Sequence, residues 1–326
     1  MAEPSLLPIP SLPFDLIEET LHRTPAESLI RFKSTCKRWY ALISSDKKFM
    51  QKHLDNSPER FLKIDVDEGV QIMDPLTGIF SVTPIPHVFR NTYPILSMVH
   101  CDGLMLCMCR GVRDGAGLAV WNPFLRKFKW IKPSVRYWDS DYFGIGYDNA
   151  SRDNYKILST DDFILSFDFS VETFKNVCVC PPSWVARKLA CFSGDRLSLL
   201  QQSNDVEASE IEVWVTNELS DGVVSFSRYF SVTSPDLPAL HFHDRMDSPG
   251  YSVGKHRDIM AWCERAEKKD DVWYVCVKFY EIGGEGGIRK QIVTGRHRRL
   301  DYNDPLICSY VYVPSLVSIP VKKNKR

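Results

Sequence analysis

Apolar side chains recur at helical spacing from Leu12 to Ile43, whereas beyond Phe61 they alternate with polar ones in short runs. Leu12, Leu16, Ile17 and Leu21 share one face of a first predicted helix. Ser11 ahead of Leu12 and Pro13 suits its start, and Asp15, Glu18 and Glu19 put negative charge in its early turns. Leu29, Phe32, Cys36, Trp39, Tyr40 and Ile43 follow at steps of 3, 4, 3, 1 and 3, again one helical face. Pro25 separates the two patterns, and Glu27 lies near the second start. A short third helix is expected over 46–54, and LDNSPER reads as a linker. The pattern therefore predicts a three-helix unit over 8–54 and a linker over 55–62.

The rest of the chain reads as strands and turns. Gly, Pro, Asn and Asp punctuate QIMDPLTGIF, VWNPFLRKFKW, YFGIGYDNASRDNYKI and FILSFDFSVETFKNV. Three of these segments align: IMDPLTGIF, VWNPFLRKF and SFDFSVETF. Each has a strand, a polar turn residue (Asp74, Asn122, Asp168) and a later aromatic. The turn residues are 48 and 46 apart, and Thr216 in EVWVTNE continues the series at 48. A period of about 45 residues carrying about four strands predicts propeller blades, with a β-sandwich as the other candidate. The fold class expected is thus α+β multidomain: a small N-terminal helical unit, then an all-β, propeller-like domain over 63–320, then a basic tail over 321–326.

Composition narrows the function. Lys+Arg and Asp+Glu both number 41, so the basic excess of a nucleic-acid-binding domain is missing. No apolar run reaches membrane-spanning length, and the opening MAEPSLLPIP lacks a basic, then apolar, secretory pattern. A nuclear or cytoplasmic, non-secreted protein is expected. Cys107 and Cys109, like Cys178 and Cys180, sit two apart in apolar runs and are read as buried free thiols on strands rather than zinc ligands. His241 and His243 in HFHD read as a polar loop, and RHRR at 296–299 as a solvated turn with anion capture as the alternative. GGEGG at 283–287 reads as a hairpin loop, because neither a Lys-Ser/Thr pair nor a helix follows it. No G-x-S-x-G, H-E-x-x-H or P-loop is present. Neither catalysis, a cofactor nor a metal is expected.

The front unit, LPFDLIEETLHRTPAESLIRFKSTCKRWYALISSDKKF, resembles an F-box. The resemblance is carried by Leu12-Pro13, Asp15-Leu16, Leu21, Pro25, Ser28-Leu29, Arg31-Phe32, Cys36-Lys37, Trp39, Leu42-Ile43-Ser44 and Phe49. Thr20 and Thr24 stand where the family has apolar residues. The remainder is similar to the plant F-box-associated domain of type 1, through CDGLMLC, VWNPFLRKFKWI, GIGYDNASRDNYKIL, ILSFDFSVETF, IEVWVTNEL and PLICSYVYVPSLVSI. One strand-rich segment of that family is missing, because NYKILST runs straight into DDFILSFDF.

The resemblance implies a substrate receptor of a Skp–cullin–F-box ubiquitin ligase. Its helical unit would dock a Skp-type adaptor, and through it cullin and RING subunits, while the kelch-like domain holds a protein substrate. Leu12, Pro13, Leu16, Leu29, Cys36 and Trp39 are the residues expected to form the shared core and adaptor contact. Arg31, Lys33, Lys37, Arg38, Lys47 and Lys48 would steer an acidic partner. The alternative is a ligand-binding or inactive propeller with a degenerate F-box.

Overall fold

The first apolar stripe folds as α1 (Phe14–His22), with Pro13 at its N-cap and Asp15 in its first turn. The second stripe does not form one helix. It breaks between α2 (Ala26–Phe32) and α3 (Lys37–Ser45), so the unit has four helices, not three. Hydroxyls cause the break. Ser34 Oγ donates to the Arg31 carbonyl at 2.8 Å and Thr35 Oγ1 to the Phe32 carbonyl at 2.6 Å. Cys36 Sγ then accepts from the Trp39 amide at 3.4 Å and caps the next helix. Asp46 does the same for α4 (Lys47–Asn56), accepting from the Phe49 amide at 3.0 Å. Leu21, Leu29, Leu42, Ile43 and Phe49 form the core between them.

This computed structural model describes residues 13–320 apart from 66–68, 75–79, 111–115, 132–141, 148–151, 153–154, 161–162, 170–171, 180–186, 194, 205–208, 219–223, 239, 241–249, 254–256, 294–296 and 300–306. Only residues 57–59 separate α4 from the first strand, a shorter link than the sequence pattern suggested.

Five antiparallel sheets follow. Blade 1 holds β1 (Arg60–Asp65), β2 (Gly69–Met73) and β3 (Phe80–Thr83). Blade 2 is β4 (Ile95–Cys101), β5 (Leu104–Arg110), β6 (Ala116–Asn122) and β7 (Lys127–Ile131). Blade 3 is β8 (Tyr142–Tyr147), β9 (Tyr155–Thr160), β10 (Phe163–Asp168) and β11 (Thr173–Val179). Blade 4 is β12 (Arg187–Phe192), β13 (Arg196–Asn204), β14 (Ser209–Thr216) and β15 (Phe226–Ser234). Blade 5 is β16 (Gly250–Val253), β17 (Ile259–Lys269), β18 (Val272–Ile282) and β19 (Ile288–Val293), with β20 (His297–Arg299) also paired to β18. The last strand, β21 (Ile307–Tyr312), returns to blade 1 and pairs with β1.

The innermost strands touch in the order β21, β4, β8, β12, β16 and back to β21, which closes a five-bladed, propeller-like ring. The sequence repeat is the end of each third strand. Asp74 follows β2, and Asn122, Asp168 and Thr216 end β6, β10 and β14. The recurring aromatic lies across the hairpin: Met73 faces Phe80, Trp121 faces Phe128, Phe167 faces Phe174 and Thr216 faces Phe226. Blades pack on both faces, so a second strand must be apolar on both. In β5, Leu104, Leu106 and Met108 enter the core shared with blade 3, and Met105, Cys107 and Cys109 enter the core shared with blade 1. Cys107 and Cys109 are buried free thiols, as the spacing predicts. The side chain of Cys178, in β11, and all of Cys180 lie outside the described residues.

Ring closure rests on the junction of blades 1, 2 and 5. Trp262 Nε1 donates to the Cys308 carbonyl at 3.1 Å. His100, on β4, lies 2.6 Å from Ser309 Oγ on β21 and meets the Tyr312 ring edge-on at 5.6 Å. Desolvation pushes the His100 pKa down to about 4. A histidine lowered on folding is held neutral, so its contribution is complete above the unfolded pKa of about 6.5 and is lost as pH falls toward 4. The expected cost at pH 4 is at most about 3 kcal/mol, because part of the ring is screened by water. Melting temperatures measured from pH 7.5 to 4.5 should fall more steeply for the native chain than for His100→Gln. Parallel curves would remove His100 from the closure.

Candidate functional site

Pro13, Leu16, Cys36, Trp39 and Tyr40 are at least partly exposed on the helical unit. Pro13 and Cys36 are exposed, and Leu16 and Tyr40 are 54% and 57% exposed despite being apolar. Side-chain contacts tie α1 and the α2 segment to α3. The Arg38 guanidinium lies 3.3 Å from the Phe14 ring centre, Lys33 Nζ lies 5.2 Å from that of Tyr40, and Phe32 meets Trp39 edge-on at 5.4 Å. Trp39 is half-buried by this contact. Leu29 is fully buried, so it supports the surface from beneath. Leu12 lies outside the described residues. Arg31, Lys37, Arg38, Lys47 and Lys48 are exposed around this unit and Lys33 is partly so. Tyr40, already counted on the apolar stripe, is a surface member the site expectation missed, because spacing alone does not say which apolar positions stay uncovered.

Thr20 and Thr24 are not buried polar misfits. Thr20 is exposed and donates to the Leu16 carbonyl at 2.8 Å, and the half-buried Thr24 donates to the Thr20 carbonyl at 2.9 Å. Two histidines line the inner side. Burial, then the charge of Lys52, lowers the His22 pKa against the opposing pull of Glu18 and Glu19; the ring stacks on Phe49 at 4.8 Å. His53 is lowered mainly by burial and holds the Thr24 carbonyl at 2.9 Å.

The helical unit sits on the ring face where β1 begins and β21 ends, and a strap from the C-terminal segment holds it there. Leu316 enters the helical core, joined by Phe124 from the β6–β7 turn. Asn122, fully buried, organises both partners. Its Nδ2 donates to the Ser315 and Val317 carbonyls at 3.1 and 2.9 Å, and its Oδ1 accepts from the Phe124 and Leu125 amides at 3.0 Å each. The β4–β5 turn packs closely against this strap at Val313 and Ser315. Asp102 and Gly103 have φ of 51° and 74°, a two-residue hairpin conformation that glycine suits best. Arg152 adds an ion pair to Asp55 of α4 at 2.6 Å, and Arg60 lies within 4.0 Å of Glu27. Strands β5, β7, β9, β11, β13 and β15 run away from this face, so the last strands of blades 2, 3 and 4 end on the opposite one.

Comparison with known families returns the F-box domain over residues 9–51 and the F-box associated beta propeller domain over 55–162 and 159–319. The chain belongs to the F-box-associated β-propeller family. An F-box protein of Arabidopsis thaliana is 52% identical over 378 residues, covering 98% of this chain and 100% of its own. F-box/WD-40 repeat-containing protein 1 of the same plant is 35% identical over 386 residues, covering 96% and 90%. The first alignment uses about 319 of 326 residues, so about 60 of its positions have no counterpart here. The two propeller matches meet at 159–162, at the β9–β10 hairpin of blade 3. In this F-box protein, strands from either side of the join still pair in register, and the shortened domain closes.

The other motifs take definite places. GGEGG is the β18–β19 hairpin loop, closed by Gly283 donating to the Gly287 carbonyl at 2.9 Å. His297, Arg298 and Arg299 are not in a turn but form β20, paired to Val275, Tyr274 and Trp273; Arg296 lies outside the described residues. His241, His243 and the 321–326 tail also lie outside them. No helix of the described residues is long and apolar enough to cross a membrane.

Proposed function

We propose that this F-box protein is the substrate-recognition subunit of a Skp–cullin–F-box ubiquitin ligase. The observation that carries the reading is that the apolar Leu16 and Tyr40 stay exposed on a unit whose core already takes in Leu316 and Phe124 from the propeller. An apolar surface rimmed by cations suits an acidic adaptor with its own apolar patch. Pro13, Leu16, Cys36, Trp39 and Tyr40 make the contact, and Leu12 precedes it in the chain. Leu29 holds the helices beneath it. The opposite ring face, where the last strands of blades 2, 3 and 4 end, receives the substrate. The strap fixes the distance between the two surfaces, so a bound substrate lysine stays near the ubiquitin thioester brought by the RING subunit. The contribution is effective concentration, and no catalytic residue is required.

Reconstitution tests this directly. With a Skp-type adaptor, a cullin, a RING subunit and ubiquitin-conjugating enzyme, the chain should assemble and acquire ubiquitin itself. Leu16→Asp should abolish both while leaving the melting temperature unchanged. Assembly at native level by that variant, or none by the folded native chain, would contradict the proposal.

A further inference from the structure

Two thiols meet where they have no assigned role. Cys101 ends β4 of blade 2, and Cys191 lies on β12 of blade 4. Their sulfurs are 3.0 Å apart although the two strands belong to non-adjacent blades, because β4 and β12 touch across the inner strand of blade 3. The chain is shortened between these residues, at the β9–β10 join. Cys101 is buried and Cys191 only partly so. Asp102, Tyr147, Tyr155 and Arg152 surround them. Tyr155 donates to Asp102 at 3.0 Å, and Arg152, whose guanidinium lies 5.7 Å from the centre of the Tyr147 ring, reaches on to Asp55 of the F-box. Among the other described cysteines, Cys36 is exposed, Cys107 and Cys109 are buried in one core, and Cys276 and Cys308 are half-buried on blades 5 and 1.

We propose that Cys101 and Cys191 are a modification site, a dithiol that a peroxide oxidises to a disulfide linking blades 2 and 4. The half-exposed Cys191 meets the oxidant first. Its sulfur attacks one peroxide oxygen, the O–O bond breaks, and a sulfenic acid and one water form. The Cys101 sulfur then attacks the Cys191 sulfur, the S–O bond breaks, and a second water leaves with the Cys101 proton. Two thiols and one hydrogen peroxide thus give one disulfide and two waters, with two electrons passing to the peroxide. Cys101 is buried beneath the more exposed Cys191, which assigns Cys101 the resolving role. The bond would pin blade 3 beneath the Arg152–Asp55 contact and so stiffen the seat of the F-box.

The full chain, freed of reductant, is treated with hydrogen peroxide and mapped by peptide mass spectrometry. A linked Cys101–Cys191 peptide, an intact mass lower by about 2 Da and a melting temperature higher by about 5 °C are expected, all reversed by a dithiol. Cys191→Ser should lose the link and leave Cys101 a thiol. Cys101→Ser should leave Cys191 trapped as a sulfenic acid by a dimedone-type probe. Absence of the link in the folded native chain, or equal labelling of Cys191 and the buried Cys107, overturns the proposal. The native-chain map carries the test even if a serine variant fails to fold.

Discussion

Gly103→Ala is expected to cost the chain about 2–5 kcal/mol and to release the C-terminal strap. Two effects add. The position has φ of 74°, where a Cβ costs roughly 1–2 kcal/mol. That Cβ would also lie 2.4 Å from Ser315 Cβ and 2.5 Å from the Val313 carbonyl, and neither can swing aside as a flexible side-chain end could. Overpacking of this kind typically costs about 1–3 kcal/mol more. Tyr312 Oη donates to the Gly103 carbonyl at 3.2 Å, so moving the turn also disturbs the closing strand. A melting temperature lower by roughly 4–20 °C, with faster proteolysis after residue 312, is the expected readout. A variant within 2 °C of native would show that the strap does not press on this turn.

Asn122→Ala should be comparably damaging, at about 3–5 kcal/mol. It leaves two carbonyls and two amides without the partner they have now, in a site with no exposed surface at Asn122. Asn122→Asp separates the two halves of the role. It keeps the acceptor for Phe124 and Leu125 but sets a carboxylate against the Ser315 and Val317 carbonyls, so it should be no milder than alanine. Both variants should also weaken adaptor-linked substrate presentation, because Leu316 and Phe124 lose their common anchor. Aspartate at native stability would mean that only the turn matters. Chemical denaturation of the three chains decides.

Asn122 shows how far the sequence could be read. Its place in a repeat of polar residues was visible, and the repeat located the third strands of four blades. Its bonds to the strap were not, because they span 193 and 195 residues. The fifth blade escaped the period. The equivalent strand end, Ile282, lies 66 residues beyond Thr216, since β17 and β18 run to 11 residues each and a longer connection precedes them. The helix break at Ser34 to Cys36 was hidden for another reason: three small polar residues reorganised local hydrogen bonds without disturbing the apolar spacing. The site was legible in part. Leu16 and Leu29 carry the same apolar signal, yet one is half-exposed and the other is core. Only packing distinguishes them. Thr20 and Thr24 stand where the family has apolar residues, and their hydroxyls bond the carbonyls of the preceding turn.

The most direct test of the account is the affinity of the purified native chain for a Skp-type adaptor, titrated by calorimetry beside Leu16→Asp. The account predicts saturable one-to-one binding by the native chain and an affinity at least about 30-fold weaker for the variant, equivalent to about 2 kcal/mol, at unchanged melting temperature. Equal binding by the two chains, or no binding by a folded native chain, would contradict it.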